Sequence, residues 1–507
     1  MNWDWIGYQW LLETYRVELA QPFYVTSRIG KNRSTTTKDG IRTEIYPEPY
    51  RPQATAADHL SFALKYEGVH LEFLARLFES LPKDELEAWV NSEPSGQYAR
   101  RAGFFYEWLT GRQLDFPGVS VGNYISALPE DEYLNRTEPL KVGRWRVRNN
   151  LPGTVHYCPT VRRTPKLKEY ENYDCLAKLT SLEAEFGTDI LSRSAVWLTI
   201  KESRASFLIE REESQTDRVK RFASVMERRL GEQGDPLSDE FLASLQSEIL
   251  GGRALRLGPR QSPVFIGETG LAEEIVHYVA PHWDQLADML EGLRAFAATT
   301  SNRSPLIRAA VISFGFVFIH PMADGNGRIS RFLVNDTLRR DGAAPAPYLL
   351  PISATITRTV ANRAAYDRAL EHYSRPLMQR YGEACSFGAW VECQDGVKTN
   401  FGFSAYPDAQ FSWAFPDLTV QTEYLCDVIR ETIESDMRQE AGFFVELRQT
   451  RARVKDVLEA PDVEIDRIVR SLRENQGTIS GKLRAEFPIL EDAALAARLI
   501  VAVLGET

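Results

Sequence analysis

A long apolar run breaks off at a single dipeptide in the second half of the chain. Residues Ala309 to Ile319 read AAVISFGFVFI, and His320-Pro321 follows directly. Proline cannot continue a helix in the ordinary way, so a first helix is expected to end there. A second amphipathic helix is expected to begin at Arg328, because apolar residues recur at helical spacing after it. The stretch between them must therefore be a turn joining two packed helices.

The turn, HPMADGNG, combines side chains that suit phosphate chemistry. Its two glycines can adopt positive φ angles, which lets backbone N–H groups converge on an anion at the start of the second helix. Arg328 and Arg331 lie three residues apart on one helix face and can grip successive phosphates. Asp324 suits Mg²⁺ shared with phosphates, and His320 can exchange a proton near neutral pH. These residues predict nucleotide-dependent transfer to a hydroxyl group.

Other interpretations of the same turn fit less well. A Ca²⁺ loop requires glycine where Ile329 stands, and it ends on a glutamate that is missing here. A P-loop would need Gly-Lys-Ser/Thr, and a dinucleotide-binding fingerprint would need a different glycine spacing. An ordinary turn remains the structural alternative, because Asp-Gly and Asn-Gly are frequent turn dipeptides.

The segment His320 to Arg331 resembles the signature of the Fic-domain family, H-x-F-x-D/E-G-N-G-R-x-x-R. Every fixed position matches except one, where Met322 replaces phenylalanine, and methionine fills such core space readily. The resemblance implies a mainly helical core that transfers AMP from Mg·ATP to a Ser, Thr or Tyr hydroxyl of a target protein. It implies that His320 is the general base and that Asp324 is the Mg²⁺ ligand. It also implies an α-phosphate site at Gly325, Asn326 and Gly327, and contacts to the outer phosphates from Arg328 and Arg331.

Two further segments resemble parts of the same family. The upstream SPVFIG resembles a β-hairpin flap that pairs with the backbone of the target and presents its hydroxyl. This implies a nucleotide and target groove lined by Val264, Phe265, Ile266 and Gly267. The downstream NRAAYDRALEHYS resembles the adenine-side helix, in which Tyr366 either faces the base or packs in the core.

The segment SFLIER resembles the inhibitory motif S/T-x-x-x-E-G/N of many Fic proteins. Ser206 and Glu210 lie four residues apart, so both can face the same way on a helix. Arg211 departs from the usual glycine or asparagine. The resemblance implies that Glu210 reaches Arg331 and blocks productive seating of the γ-phosphate. A solvated glutamate is the structural alternative, and we expect a largely self-inhibited protein.

The chain is expected to be mainly α, with a helical Fic core and a small β-hairpin flap. Residues 1–134 mix strand-like and helical stretches, which predicts an α+β region for regulation or target binding. Residues 135–169 are expected to be a basic β-hairpin linker, and 170–375 the core, with its inhibitory helix near 200–212. Residues 376–507 are expected to be a helical region, with a winged-helix-like module as one option.

Within the linker, VGRWRVRNN alternates apolar and basic residues. This pattern predicts a strand that carries Arg144, Arg146 and Arg148 on one face. Such a face is expected either to be solvated or to touch an acidic partner or nucleic acid.

Composition narrows the class of protein. The net charge of -10 argues against a protein coated in nucleic acid, and five scattered cysteines without C-x-x-C fit a reducing compartment. The N-terminus lacks a signal pattern, and the longest apolar run is shorter than the ~20 residues that a bilayer requires. We expect a cytoplasmic enzyme that binds ATP, Mg²⁺ and a target protein and has no membrane partner. Whether it modifies itself or forms a homodimer stays open.

Two alternative functions remain open at this point. The same site could remove AMP or transfer another phosphate-linked group, such as phosphocholine or UMP. The chain could instead be a DNA-binding regulator whose core senses a nucleotide, which salt-dependent DNA binding by its ends would reveal.

Overall fold

The structure is a computed structural model of the chain. It describes residues 4–38, 40–210, 216–251, 256–269 and 274–505. Helices predominate within these ranges and the sheets are small, so the predicted mainly α fold is confirmed. The largest buried apolar cluster lies in the middle of the chain, and smaller clusters lie toward each end.

The N-terminal region combines a small sheet with short helices. The strands, in the sheet order β1-β2-β4-β3, are β1 (Trp5–Ile6), β2 (Val25–Ile29), β3 (Ser34–Lys38) and β4 (Ile41–Tyr46). The helices are α1 (Tyr8–Tyr15), α2 (Ala56–Tyr66), α3 (Leu71–Ser80), α4 (Lys83–Ser92) and α5 (Gln97–Thr110). Thr55 caps α2 by accepting a hydrogen bond from the Asp58 amide at 3.2 Å, which removes one unpaired donor from the helix start.

A three-stranded sheet follows, made of β5 (Ile125–Ser126), β6 (Leu140–Val142) and β7 (Val147–Asn149). Strands β6 and β7 form the expected hairpin, but the prediction that Arg144, Arg146 and Arg148 share one face of a strand is wrong. Residues 143–146 form the turn, because Trp145 is buried there and stacks on Phe116 at 4.6 Å between ring centroids. Arg144 pairs with Glu107 at 3.1 Å, while Arg146 donates to backbone carbonyls of the preceding loop.

The central region is a set of helices interrupted by one hairpin. The helices are α6 (Pro165–Glu171), α7 (Cys175–Phe186), α8 (Thr188–Ile209), α9 (Thr216–Arg229), α10 (Asp239–Leu250), α11 (Leu286–Thr299), α12 (Pro305–Ile319), α13 (Asn326–Arg340), α14 (Ile352–Thr357) and α15 (Val360–Tyr381). The hairpin pairs β8 (Phe265–Thr269) with β9 (Glu274–Val279). Helix α12 is almost entirely buried, as its uniformly apolar sequence predicts. It packs on α11, α13 and the later helix Thr419–Glu431.

The C-terminal region begins with a hairpin that the sequence analysis did not predict. Its strands are β10 (Cys385–Glu392) and β11 (Lys398–Phe403). The helices after it are α16 (Tyr406–Ala414), α17 (Thr419–Glu431), α18 (Arg438–Lys455), α19 (Asp462–Glu474), α20 (Gly481–Glu486) and α21 (Ala493–Leu504), with a π-helical turn over Thr432–Met437.

Two features of this region differ from expectation. The central apolar cluster continues through α17 to Ala441, beyond the expected boundary at residue 375. The described residues 438–505 contain no strand, so the β wing of a winged-helix module is not present in them. Among the described helices, none has the length and apolar character needed to cross a bilayer.

Candidate active site

His320 lies at the C-terminal end of α12 in a left-handed backbone conformation, with φ 51° and ψ 55°. A non-glycine residue rarely adopts this conformation, which costs free energy unless neighbours hold it. The side-chain Nδ1 lies 3.1 Å from the Val317 carbonyl oxygen. A carbonyl only accepts, so Nδ1 carries the proton in this hydrogen bond. The neutral ring therefore keeps an available lone pair on Nε2.

Burial lowers the pKa of His320 to about 4, and the nearby charge of Arg260 acts in the same direction. Glu210 and Asp324 oppose this shift to a smaller extent. The imidazole is consequently neutral at physiological pH, as a proton acceptor must be.

The turn after His320 is held together by Asn326. The Asn326 side chain accepts a hydrogen bond from the Met322 amide at 2.9 Å and donates to the Met322 carbonyl at 2.7 Å. Met322 and Asn326 are both buried. The side chain of Asn326 thus fixes the loop, and only its backbone N–H is left to contact an anion.

The loop enters α13 through Gly325, whose φ of 89° favours glycine. The first N–H groups of a helix have no intrahelical acceptor, and in α13 these belong to Asn326, Gly327 and Arg328. The positive end of the α13 dipole, at these N–H groups, faces the turn that carries His320. The structure therefore brings the histidine and an anion-attracting helix start together.

Asp324 and Arg328 form a pair at the mouth of this loop. The Arg328 Nη2 to Asp324 Oδ1 distance is 3.1 Å. The Arg328 side chain is buried, with its guanidinium 5.1 Å from the centre of the Phe207 ring, whereas the Asp324 side chain is 60% exposed. An exposed carboxylate in this position is accessible to a hydrated cation.

Arg331 is engaged by the end of α8. Its Nη2 lies 2.7 Å from Glu210 Oε1, and its Nε donates to Ser206 Oγ at 2.7 Å. Among the described residues, the buried Nη1 of Arg331 has no hydrogen-bond partner. A Cβ built on Gly327 would meet Glu210 Oε1 at 1.9 Å, so the carboxylate lies against the glycine at the start of α13.

The charge state of Glu210 follows from this contact. Burial acts to raise its pKa, but the charges of Arg331 and Arg328 outweigh burial and hold the pKa below its usual value. The ion pair predicted from SFLIER is therefore fully charged at neutral pH. Arg211, the residue in which the motif departs from the family pattern, lies outside the described residues.

Strands β8 and β9 border the site. The backbone of Gly267 passes so close to β9 that an added Cβ would lie 2.3 Å from the Ile275 carbonyl oxygen. Phe265 packs on Phe387 and Phe401 of the second hairpin, with ring centroids 5.4 and 4.6 Å away. The exposed Ile266 and the partly buried Val264 are the other apolar side chains of this stretch.

Tyr366 lies on α15 and is 8% exposed. It is near Phe314 and Tyr424, with ring centroids 6.4 and 6.1 Å away. Burial raises its pKa, while nearby Arg331 acts to lower it. Tyr366 is thus near both aromatic rings and Arg331 of α13.

Three residues near the site were missed by sequence reasoning. Glu202 lies on α8, eight residues before Glu210, and accepts hydrogen bonds from Ser353 and Ala354 at the start of α14. Arg363 on α15 donates to the Ile209 carbonyl at 3.0 Å and so holds the end of α8. Arg260 is 1% exposed and donates to the His320 carbonyl at 2.8 Å. The sequence analysis assigned no role to any of the three.

Comparisons with known proteins show what the segment around this site is similar to. Residues 236–338 match the model of the Fic/DOC family. Protein adenylyltransferase fic-1 of Caenorhabditis briggsae is 36% identical over 130 residues, which is 24% of this chain and 24% of that protein. The C. elegans protein of the same name is 30% identical over 164 residues, 30% of each chain. The aligned segment thus spans about a quarter to a third of these relatives.

A solved structure of a Fic family protein from Desulfovibrio desulfuricans G20 is 18% identical, with a TM-score of 0.36; the match covers 57% of this chain and 80% of that one. Fold and site define a helical domain with a histidine-bearing loop at a helix start. Residues 236–338, which include this loop, are similar to the Fic/DOC family.

Proposed function

We propose that the protein is an adenylyltransferase that moves AMP from Mg·ATP to a hydroxyl of a target protein. One observation carries this proposal: the neutral His320, with Nδ1 bonded to Val317, lies beside the first amides of α13 and its two arginines. The names of the two nematode relatives support the same reaction.

In the proposed reaction, His320 Nε2 takes the proton of the incoming hydroxyl as its oxygen attacks the α-phosphorus. The bond between Pα and the oxygen that bridges to Pβ breaks, and pyrophosphate leaves with this oxygen and the electron pair of the broken bond. The amides of Asn326, Gly327 and Arg328 bind the non-bridging oxygens, where they stabilise the charge that develops. Arg328 and Arg331 bind the outer phosphates.

Asp324 would hold the Mg²⁺ ion. Within the described ranges no group of three or more His, Cys, Asp or Glu side chains could bind a metal alone. A single exposed carboxylate suits Mg²⁺, which takes its other ligands from phosphates and water. When bound, the ion would neutralise charge on the phosphate chain.

The flap and Tyr366 complete the proposed substrate sites. The β8 strand, with Ile266 exposed, would pair with an extended segment of the target, and Val264 and Gly267 would border the nucleotide. Tyr366 would face the adenine from its position near Arg331. Phe265 contributes by holding the flap on the second hairpin rather than by touching the nucleotide.

The ion pair of Glu210 with Arg331 supports a self-inhibited resting state. Arg331 must turn its guanidinium toward the phosphates to bind them, but Glu210 and Ser206 hold it. The carboxylate also lies against Gly327, where it would repel a phosphate. Glu210→Gly would remove both obstacles.

The test is incubation of the purified Glu210→Gly protein with Mg·ATP and candidate lysate proteins, followed by mass spectrometry of every protein present. The expected result is an added AMP moiety on a hydroxyl, at a rate well above wild type. Glu227→Gly, which removes an exposed glutamate from α9, serves as the matched control and should behave as wild type. Activity of Glu210→Gly no higher than that of the control would refute the brake, and persistence in Glu210→Gly/His320→Ala would refute the catalytic role.

A further inference from the structure

A buried arginine behind the histidine makes bonds to several separate segments. Arg260 is 1% exposed. Its Nε donates to the His320 carbonyl at 2.8 Å, its Nη1 to the Ser262 carbonyl at 2.9 Å, and its Nη2 to the Pro281 carbonyl at 2.6 Å. Every one of these acceptors is a backbone carbonyl, and no carboxylate of the described residues bonds to the guanidinium.

The backbone of Arg260 adds to the same connection. Its N–H donates to the Pro321 carbonyl at 2.8 Å, and the neighbouring Pro259 forms an antiparallel bridge with Met322. The carbonyls of both residues of the His320-Pro321 turn are therefore bonded to Arg260. The other two acceptors, Ser262 and Pro281, lie just before β8 and just after β9.

The position of these bonds matters because His320 is in the left-handed conformation. That conformation costs free energy and persists only where the surroundings hold it. Removal of Arg260 would leave carbonyls of the turn and of both flap ends without their donor. A planar guanidinium can serve three acceptors in fixed directions, whereas a lysine ammonium is a point donor on a flexible stem.

We propose that Arg260 is a positioning residue: it holds the backbone of His320 in its left-handed turn and ties that turn to both ends of the β8–β9 flap. Base and flap then keep a fixed distance when a target strand binds to the flap. This role deepens the proposed function and rests on it. Because its side chain is buried and bonded to the His320 carbonyl, Arg260 would act through His320 rather than by contact with nucleotide or target.

The charge of Arg260 supplies a second, separable effect. The charge of Arg260 lowers the pKa of His320, whereas the charges of Glu210 and Asp324 raise it. A neutral substitution should therefore change both the geometry and the pKa, while lysine should change the geometry alone.

The test uses full-length protein with Glu210→Gly as the active parent. Arg260→Lys is expected to lower kcat for AMP transfer by about 100-fold, because a misplacement of about 1 Å has that effect. The KM for ATP should stay within a factor of about three of the parent value, since Arg328, Arg331 and the first amides of α13 are unchanged. The acidic limb of the pH profile should keep its position in Arg260→Lys, because the positive charge is retained. In Arg260→Gln it should move toward pH 6.5, the value of an ordinary histidine.

Arg101→Lys is the matched control. Arg101 is also buried and, among the described residues, its side chain donates only to the carbonyls of Leu64 and Ala127. It lies on α5 in the N-terminal region. It should lower thermal stability without the selective loss of kcat. Folding of each variant is checked by thermal denaturation before kinetics.

The outcomes separate the two proposals. An inactive Glu210→Gly parent would contradict the proposed function itself. An active parent whose activity is unchanged by Arg260→Lys would overturn the positioning role, as would an equal kcat loss in Arg101→Lys. Failure of both Arg260 variants to fold would also overturn it, because the arginine would then support the fold as a whole.

Discussion

At the scale of single residues, the resting contact and the proposed phosphate site occupy the same space. Glu210 Oε1 lies where a side chain on Gly327 would begin, and Arg331 is turned toward that carboxylate. An anion at the start of α13 would meet a like charge there. The carboxylate must therefore leave before a phosphate can enter.

Gly327→Ala tests this shared space. The added Cβ would overlap Glu210 Oε1 at 1.9 Å, and overpacking of this kind costs about 1–3 kcal/mol. In the Glu210→Gly background the overlap is gone. Gly327→Ala should therefore lower the free energy of unfolding by clearly less there than in wild type. Chemical denaturation of both single variants, the double variant and wild type measures this coupling. Additive effects would show that the two residues do not meet.

The pH dependence of transfer follows from His320. Its pKa is lowered to about 4, first by burial and then by Arg260. A base works when deprotonated, so activity should fall only as the pH drops through that low value. Because Glu210 raises this pKa, its removal in Glu210→Gly cannot move the limb upward.

The profile of kcat/KM for Glu210→Gly should consequently be flat from about pH 8 to about pH 5. Native structure at each pH is confirmed by circular dichroism. A half-loss of activity near pH 6.5, the value of an ordinary histidine, would contradict a buried, neutral base.

At the scale of elements, the flap depends on a hairpin from the C-terminal region. Phe265 of β8 packs on Phe387 and Phe401 of the β10–β11 hairpin. Asp395 in the turn of that hairpin accepts a hydrogen bond from the Gln261 amide at 2.8 Å. The flap is thus supported from a region far away in the sequence.

Removal of the Phe401 ring should loosen the flap. Phe401 is 4% exposed, so Phe401→Ala should cost about 3–5 kcal/mol of stability. Backbone amides of β8 and β9 should exchange hydrogen faster, whereas those of buried α12 should change less. Phe443→Ala, which removes a ring that is 48% exposed on α18, is the control. Unchanged flap exchange in a folded Phe401→Ala protein would contradict this support.

The sequence identified most central elements because their signals are local. Periodicity and the His320-Pro321 break defined α12 and α13, and the signature spacing led to the loop. The Glu210–Arg331 contact followed from the resemblance of SFLIER to an inhibitory motif. The β10–β11 hairpin was missed, although Asp395-Gly396 is a typical turn dipeptide between strand-like stretches. Arg260 could not be found, because its acceptors are carbonyls brought together only by the tertiary fold.

At the scale of the whole molecule, a buried polar cluster joins the N-terminal helices to the C-terminal part of the core. Glu72 and Arg76 on α3 pair at 3.1 Å. Arg76 also donates to Tyr381 Oη at 2.7 Å, and Ser412 Oγ donates to Glu72 at 2.7 Å. Sequence patterns gave no sign of this connection, because the α3 pair lies more than 300 residues from Tyr381 and Ser412.

Arg76→Met should destabilise the protein strongly. Glu72 is fully buried, and loss of its positive partner would leave a poorly compensated charge, at a cost of about 3 kcal/mol or more. Chemical denaturation measures the loss. The control is Arg375→Met on α15, where the arginine side chain is 65% exposed. This substitution should change stability by less than about 0.5 kcal/mol. Equal effects of the two substitutions would contradict the role of the buried cluster.

The central claim is that His320 activates a hydroxyl for attack on the α-phosphorus of ATP held at the start of α13. Glu210→Gly protein should be incubated in parallel with ATP labelled at the α-phosphate and ATP labelled at the γ-phosphate. The account predicts protein-bound label from the α-phosphate alone, and none with Glu210→Gly/His320→Ala. Label from the γ-phosphate, or α-label that persists without His320, would contradict it.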